Sequence, residues 1–599
     1  MESTRSIPLI REFTAESGHK VRLGLDSQVL SLKNERLDET DDMSLSRSLA
    51  ELVRVDRDGE ESYVPAGTLI YKARQFDDGF MATIEKYLQE GLGDFAGKRK
   101  LLESLGESLI KTGKSPSDDS FARAAVIIFA ALELSGARAS GLGKDWQEKV
   151  DERLKQFEAQ PVISKPVAYY TWNDDLGAVF KQDRMLQTPL EMSKDAAGAN
   201  ALAGIIKEDG ELLDSYLKLL DMVHKLTNSP RLPDLRVLFT SGGGDFETEV
   251  LATIPPTVSH EEDLLAKLIG PGNPVPKNFS LMDEFIKVVR SRKMSLRPTA
   301  DSGWYDYVTW SLAPLIAPHL MVESEHLSVD DSYFELLEDL LRGTIALARV
   351  PHPRSLPEKE LAPSETSPSS QLKIKPRITV EPLPTFYYRR AYSYRFLKSV
   401  VSGIFGEEEL RKMHRLTRDG KAREDLYTEL AFMEDLFNGA HISSCQDLGM
   451  KPAQAPESSL EVFQDWAGSY AEDPDLASDQ RTMVPIHYDL ESGLVRVWCF
   501  MGWRREELNV AFEKPPEVEV FDRSGKKLAR KDLWLRPHGT GEGEGKDEIS
   551  YSFESAVFAG YYPVMEEILV KDVLDRQAFQ KVCDEKSSLK EIIDALSAQ

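Results

Sequence analysis

Apolar positions recur at three-and-four spacing through most of the first 350 residues and switch to alternation near the C-terminus, which predicts a helical body followed by strands. From Asp78 the segment GFMATIEKYLQEGL reads as a helix. The apolar run from Phe121 to Leu134 reads as a central one, with Ser117, Asp118 and Asp119 as cap candidates ahead of it. Leu212, Leu213, Tyr216, Leu217, Leu220 and Val223 mark one face of another helix, and Ser328 with Asp331 forms a capping box before YFELLEDLLRGTIALARV. No motif recurs at a fixed period, so a repeat array is not expected.

The first eighty residues carry only short alternating stretches, HKVRLGL, QVLSLK and SYVPAGTLIYKA, which read as a few strands or an irregular cap. Between Pro351 and Pro384 the chain turns to Pro, Ser, Glu and Lys, which cannot continue a helix and build little core. Helical spacing resumes at FYYRRAYSYRFLKSVV and lasts to about Glu472. Met483 to Asp489, Leu494 to Gly502, Val518 to Phe521, Lys527 to Leu535 and Ile549 to Phe553 then alternate or run apolar. Turns at Glu491 to Gly493 and Arg523 to Gly525 separate them, and Asp575 to Leu596 closes as a helix. The predicted fold class is α+β, a mainly α-helical body of several units with a C-terminal antiparallel β-rich module. The expected divisions are a β-containing cap at 1–77, a helical domain at 78–350, a linker at 351–384, a helical segment packing on the body at 385–475 and the β-rich module with its closing helix at 480–599.

Composition narrows the setting. A chain of 599 residues exceeds the roughly 250–300 at which single cores stop growing, and its 41% hydrophobic and 29% charged residues are those of a globular protein. The net charge of -26, from 100 acidic against 74 basic side chains, makes nucleic acid an unlikely partner because such a field repels phosphates. No window is apolar enough for a membrane span and MESTRSIPLIREFTAES lacks a signal-peptide core, so a cytoplasmic location is expected. The three cysteines, Cys445, Cys499 and Cys583, form no CxxC pair, which fits a reducing compartment and excludes a cysteine-built zinc site.

Several residue sets have chemical potential. His487 and Asp489 stand two apart, so a regular strand would send both to one face, as a base with its orienting carboxylate or as two ligands of a divalent metal; the alternative is a hydrogen-bonded pair that holds the hairpin. His319, Glu323 and His326 have ligand-type spacing for a helix, but Pro318 and the cap at Ser328 suggest a loop. Leu235 to Thr240 with SGGGDFETEV reads as strand and glycine turn, without a nucleotide fingerprint. Aromatics mix with carboxylates at Tyr169, Tyr170, Trp172, Asp174 and Asp175, and again at Trp304, Tyr307 and Trp310. Such sets suit a sugar-stacking surface or a core face with caps. His441 and Cys445 could pair as base and thiol.

Three stretches resemble an uncharacterised bacterial family, the domain of unknown function thirty-one sixty. They are PVAYYTWNDDLGAVFKQDRML, ITVEPLPTFYYRRAYSYRF with Val380, Glu381, Pro382, Pro384, Phe386 and Tyr387, and VPIHYDLESGLVRVWCFMG with His487, Asp489, Ser492 and Gly493. The resemblance implies a helical body with a C-terminal β module, and no activity. The leading functional expectation is a soluble protein that binds a small-molecule or protein ligand, with hydrolysis as the candidate reaction. Its cleft would lie between helical body and β module, with His487 and Asp489 as catalytic or metal-binding residues and Trp304, Tyr307 and Trp310 as an apolar wall. The rival expectation is a non-catalytic interaction scaffold.

Overall fold

The computed structural model describes residues 9–15, 18–34, 45–56, 63–166, 168–239, 249–257, 268, 281–349, 372–418, 420–489, 493–528, 551–586 and 588–598. The fold is α+β, mainly helical, with a β-rich C-terminal region. Helix α1, Ala66–Glu90, starts after Pro65 and stops at Gly91, whose φ of 87° only glycine adopts without strain. It is buried on nearly every side, so its polar side chains are paired internally: Lys72 with Asp473 and Asp475, and Asp77 with Arg390. Helix α2, Asp119–Leu134, is buried from Phe121 to Leu132 except at Arg123, the one charged side chain of that run, which pairs with Asp195.

The sheets join the two ends of the chain. Strands β1 (Ile10–Thr14), β2 (Lys20–Gly24) and β3 (Val29–Asn34) precede the helical body, β4 (Leu327–Val329) interrupts it, and β5 (Thr482–Asp489), β6 (Leu494–Lys514), β7 (Glu517–Phe521) and β8 (Ala556–Val570) follow it. β6 is the spine: β5 pairs with its first third, β3 with its last residues, and β8 along most of its length. β4 lies parallel to β3, while β2 sits between β1 and β7. Strands of the expected N-terminal cap therefore pair directly with strands of the expected C-terminal module. One hydrophobic cluster runs from Leu30 to Tyr562 through both.

Three helices carry residues that the sequence singled out or that meet the sheet. Helix α3 is Trp304–Ser311, α4 is Asp331–Arg349, and α5, Pro384–Phe405, has proline at its first position, where the missing N–H costs nothing. α4 packs against β3, β6 and β8, and Gly343 is the point of closest approach, since a Cβ there would lie 2.3 Å from Pro563 Cγ.

The structure corrects several local expectations. Strand β6 does not end at Gly502 but continues through the charged Arg504–Glu507 stretch, because those side chains find partners across and beside the strand. β8 was not expected at all; its Pro563 is tolerated because, among the described residues, β8 pairs only with β6 and its other edge carries no ladder. The capping box at Ser328 is not formed, since Leu327–Val329 is strand and Asp330 Oδ1 takes the Ser332 N–H instead. Leu235–Leu238 is a 3-10 turn capped by Asp234, not a strand, and the glycine run after it lies outside the described residues. The closing helix is two, Arg576–Glu585 and Leu589–Ala598. Among the described residues no helix is long and apolar enough to cross a membrane.

Candidate functional site

The residues singled out by sequence do not converge. The backbones of His487 and Asp489 lie in β5, opposite Arg496 and Leu494, with a bulge between Pro485 and His487; their side chains lie outside the described residues. Trp304 is a core residue, 1% exposed, with its ring 5.7 Å from Phe80. Tyr307 stacks on Phe396 at 4.2 Å, and Trp310 meets Tyr392 edge-on with the Arg389 guanidinium over its face. The three expected wall residues thus divide between the interior and a partly exposed face formed by α3 and α5. Helix α3 packs on α5 and on Gly210–Leu226, whereas β5 packs on β6 and Arg576–Glu585.

Other candidates resolve into structural roles. His441 donates from Nδ1 to the Pro384 carbonyl at 2.9 Å and accepts at Nε2 from the Ala453 N–H at 3.0 Å, so both ring nitrogens are engaged. Cys445, 3.8 Å from the ring, has no base to activate it, and burial pushes its thiol up to about 12. His319, Glu323 and His326 fall on two 3-10 turns and the residue after them. Asp174 and Asp175 are exposed in a helical first turn capped by Asn173. Among the described residues no group of three or more His, Cys, Asp and Glu is placed to hold a metal ion.

The sequence did not single out the roles of Glu381, fully buried, and Glu85, half-buried. Glu381, fully buried, accepts from Tyr333 Oη at 2.7 Å, Tyr562 Oη at 2.8 Å and the Ala66 N–H at 2.9 Å, joining α4, β8 and the first residue of α1. Burial holds it above the usual carboxylate range, against those three bonds. Glu85 accepts from Tyr170 Oη at 2.8 Å; burial first, and the Asp183 carboxylate second, push it up to about 7, while Lys98 opposes the shift.

Among the described residues an open concavity lies elsewhere, where α4 crosses the sheet. A groove of about 250 Å³ is lined by Asn34, Ser332, Glu335, Leu336, Glu338, Asp339, Arg342 and Arg504. Helical spacing explains the α4 side: Tyr333, Leu336, Leu337, Leu340 and Leu341 bury one face, which leaves Ser332, Glu335, Asp339 and Arg342 as a polar stripe at steps of three and four. Strand alternation explains Asn34, which follows Leu30 and Leu32 onto the inward face of β3 and is only 4% exposed. The Asn34 N–H donates to Ser332 Oγ at 3.0 Å, and Ser332 Oγ donates to Asp330 at 2.7 Å, which ties strand to helix. Arg504 reaches Asp339 at 2.8 Å and Glu506 at 3.0 Å, and Arg342 lies between Asp283 and Glu338, which also holds Arg290. Among the described residues Asn34 Oδ1, buried at the groove, has no hydrogen-bond partner, and neither has Arg504 Nε, which lies 3.0 Å from Glu506 as an ion pair.

The polar stripe on α4 and the asparagine at a core-facing strand position were visible signals for this site. What hid it was the pairing of β3 with β6, which joins segments more than 470 residues apart. Compared with known proteins, the chain matches no family model, no curated protein and no solved structure.

Proposed function

We propose that this protein binds a small polar molecule in the groove between α4 and the β3–β6 sheet. One observation carries the reading: the groove lies where the helical body meets the β-rich region, and it contains a buried acceptor, Asn34 Oδ1, without a partner among the described residues. A concavity with a few convergent polar groups is the ordinary form of a small-molecule seat. Leaving a buried acceptor unsatisfied costs about 1–3 kcal/mol, so an occupant that supplies a donor is favoured there. We assign no bond-breaking step to the groove, because its one hydroxyl, Ser332 Oγ, already donates to Asp330 and accepts from Asn34. The resemblance to the uncharacterised bacterial family brings an architecture and no activity, and adds nothing to this choice.

The test is saturation-transfer NMR with amino acids, diamines, dicarboxylates and polyols, on the wild type and on Glu335→Trp. Glu335 is exposed at the groove, so the substitution fills the groove without entering the core. At least one compound should give signal with the wild type and lose it with the variant, both proteins melting alike. The proposal fails if no compound binds, or if the variant binds equally well.

A further inference from the structure

We infer that the occupant of this groove is a compact organic cation carrying N–H donors, an amine or a guanidine. The inference rests on the proposed reading of the groove as a ligand seat and adds the chemistry of the ligand.

Three observations lead to it. First, two buried atoms at the groove lack a hydrogen-bond partner among the described residues, and since Arg504 Nε already has the Glu506 carboxylate at 3.0 Å, the one left to match is an acceptor. Asn34 Oδ1 is 96% enclosed with its residue, its own backbone N–H is already spent on Ser332, and the matching partner is a donor from outside the chain. Second, the lining itself carries three carboxylates against two arginines. Glu335, Glu338 and Asp339 face Arg342 and Arg504. Arg504 is shared by Asp339 and Glu506, and Arg342 by Asp283 and Glu338. Asp330, bonded to Ser332, adds another carboxylate at the end of the groove. Each lining arginine thus lies between two carboxylates, so an anion would approach it against two like charges, whereas a cation adds to an existing negative field. Third, the volume of about 250 Å³ lies below the usual range for drug-sized ligands, roughly 300–1,000 Å³, which points to a ligand as compact as a short diamine or an aminoalkyl guanidine. The net charge of -26 works in the same direction by concentrating cations near the surface.

The observations also place the ligand. Its N–H group would donate to Asn34 Oδ1 at the buried end, with the positive charge beside Glu335 and Asp339 and the methylene chain along Leu336, the one apolar side chain of the lining. Arg504, only 7% exposed, closes the sheet side.

The experiment is isothermal titration of the full chain at low salt with agmatine, putrescine, glutarate and 1,5-pentanediol, probes of similar length that differ in charge. It uses the wild type, Glu335→Trp, Glu335→Gln and Asn34→Leu. Agmatine or putrescine is expected to bind the wild type while glutarate and pentanediol do not. Glu335→Trp should abolish binding, and Asn34→Leu should weaken it about tenfold or more, the effect of losing a hydrogen bond to a charged group. Glu335→Gln, at an exposed position, serves if Asn34→Leu does not fold, and should weaken binding and flatten its salt dependence. Glutarate or pentanediol binding that Glu335→Trp abolishes, with no binding of either cation, overturns the ligand class and leaves the seat standing. Binding of no probe to the wild type overturns the seat as well. Cations binding Glu335→Trp as well as the wild type would assign them to the general acidic surface and overturn the inference.

Discussion

Glu381→Gln is the substitution whose cost the structure lets one work out. The fully buried Glu381 carboxyl meets three donors: two tyrosine hydroxyls converge on Oε1 and the Ala66 N–H reaches Oε2. Truncation to alanine would orphan all three, at about 1–3 kcal/mol each, and so would remove much of the 5–15 kcal/mol that typically holds a folded domain. That variant should accumulate poorly. Glutamine keeps the shape but turns one oxygen into an NH₂ donor. If the amide oxygen stays with Tyr333 and Tyr562, the NH₂ faces the Ala66 N–H; if it turns, the NH₂ faces two hydroxyls whose protons then lose their acceptor. Either orientation loses at least one hydrogen bond and sets donor against donor, so a loss of about 1–3 kcal/mol is expected. Urea unfolding followed by tryptophan fluorescence reads this as a lower midpoint at unchanged slope. A Glu381→Gln midpoint within about 0.5 kcal/mol of wild type, the scatter of neutral surface changes, would refute the role given to the three donors.

Further outcomes follow from other parts of the fold. Glu85, with a folded value of about 7 against an ordinary value of 4.5, binds its proton more tightly when folded; its contribution is complete below about pH 4.5 and is lost as pH rises through 7. Glu85→Gln should therefore gain on the wild type by up to about 3 kcal/mol between pH 5 and 8, and a difference independent of pH contradicts the shift. Cys445, buried with its thiol near 12, should react with a disulfide reagent only on global unfolding; rapid labelling of the native protein at Cys445 would contradict its enclosure. In hydrogen exchange the amides of Val29–Asn34 and Leu508–Lys514 should open together, as expected of one ladder, and early exchange of the first segment alone would contradict the pairing of β3 with β6.

Much of the helical part was legible because periodicity is local. The Phe121 to Leu132 run could only be a buried helix, and the apolar face of Asp331–Arg349 stands out at three-and-four spacing. Sheet assembly was not legible in the same way. The alternation of Leu30, Leu32 and Asn34 shows a strand with one face inward, but nothing local says that its partner begins at Leu508. The continuation of β6 through Arg504–Glu507 and the strand around Pro563 were not legible, since whether a strand tolerates charge or proline depends on which edge is open and which helix lies over it. The chemistry was harder still. His487 and Asp489 drew attention because they are adjacent in sequence, whereas Asn34, Asp339 and Arg504 meet only through the fold. Glu381 stood in the VEPLP stretch for its resemblance to a family pattern, and its role as acceptor for three separate elements shows only when Tyr333, Tyr562 and Ala66 are brought around it.

The most direct test of the proposed seat is a crystal structure of the protein grown with saturating agmatine. Ordered density should fill the groove, with an N–H group within hydrogen-bond distance of Asn34 Oδ1 and the charge beside Glu335 or Asp339. An empty groove at saturating agmatine, or agmatine ordered only at another place on the surface, would contradict it.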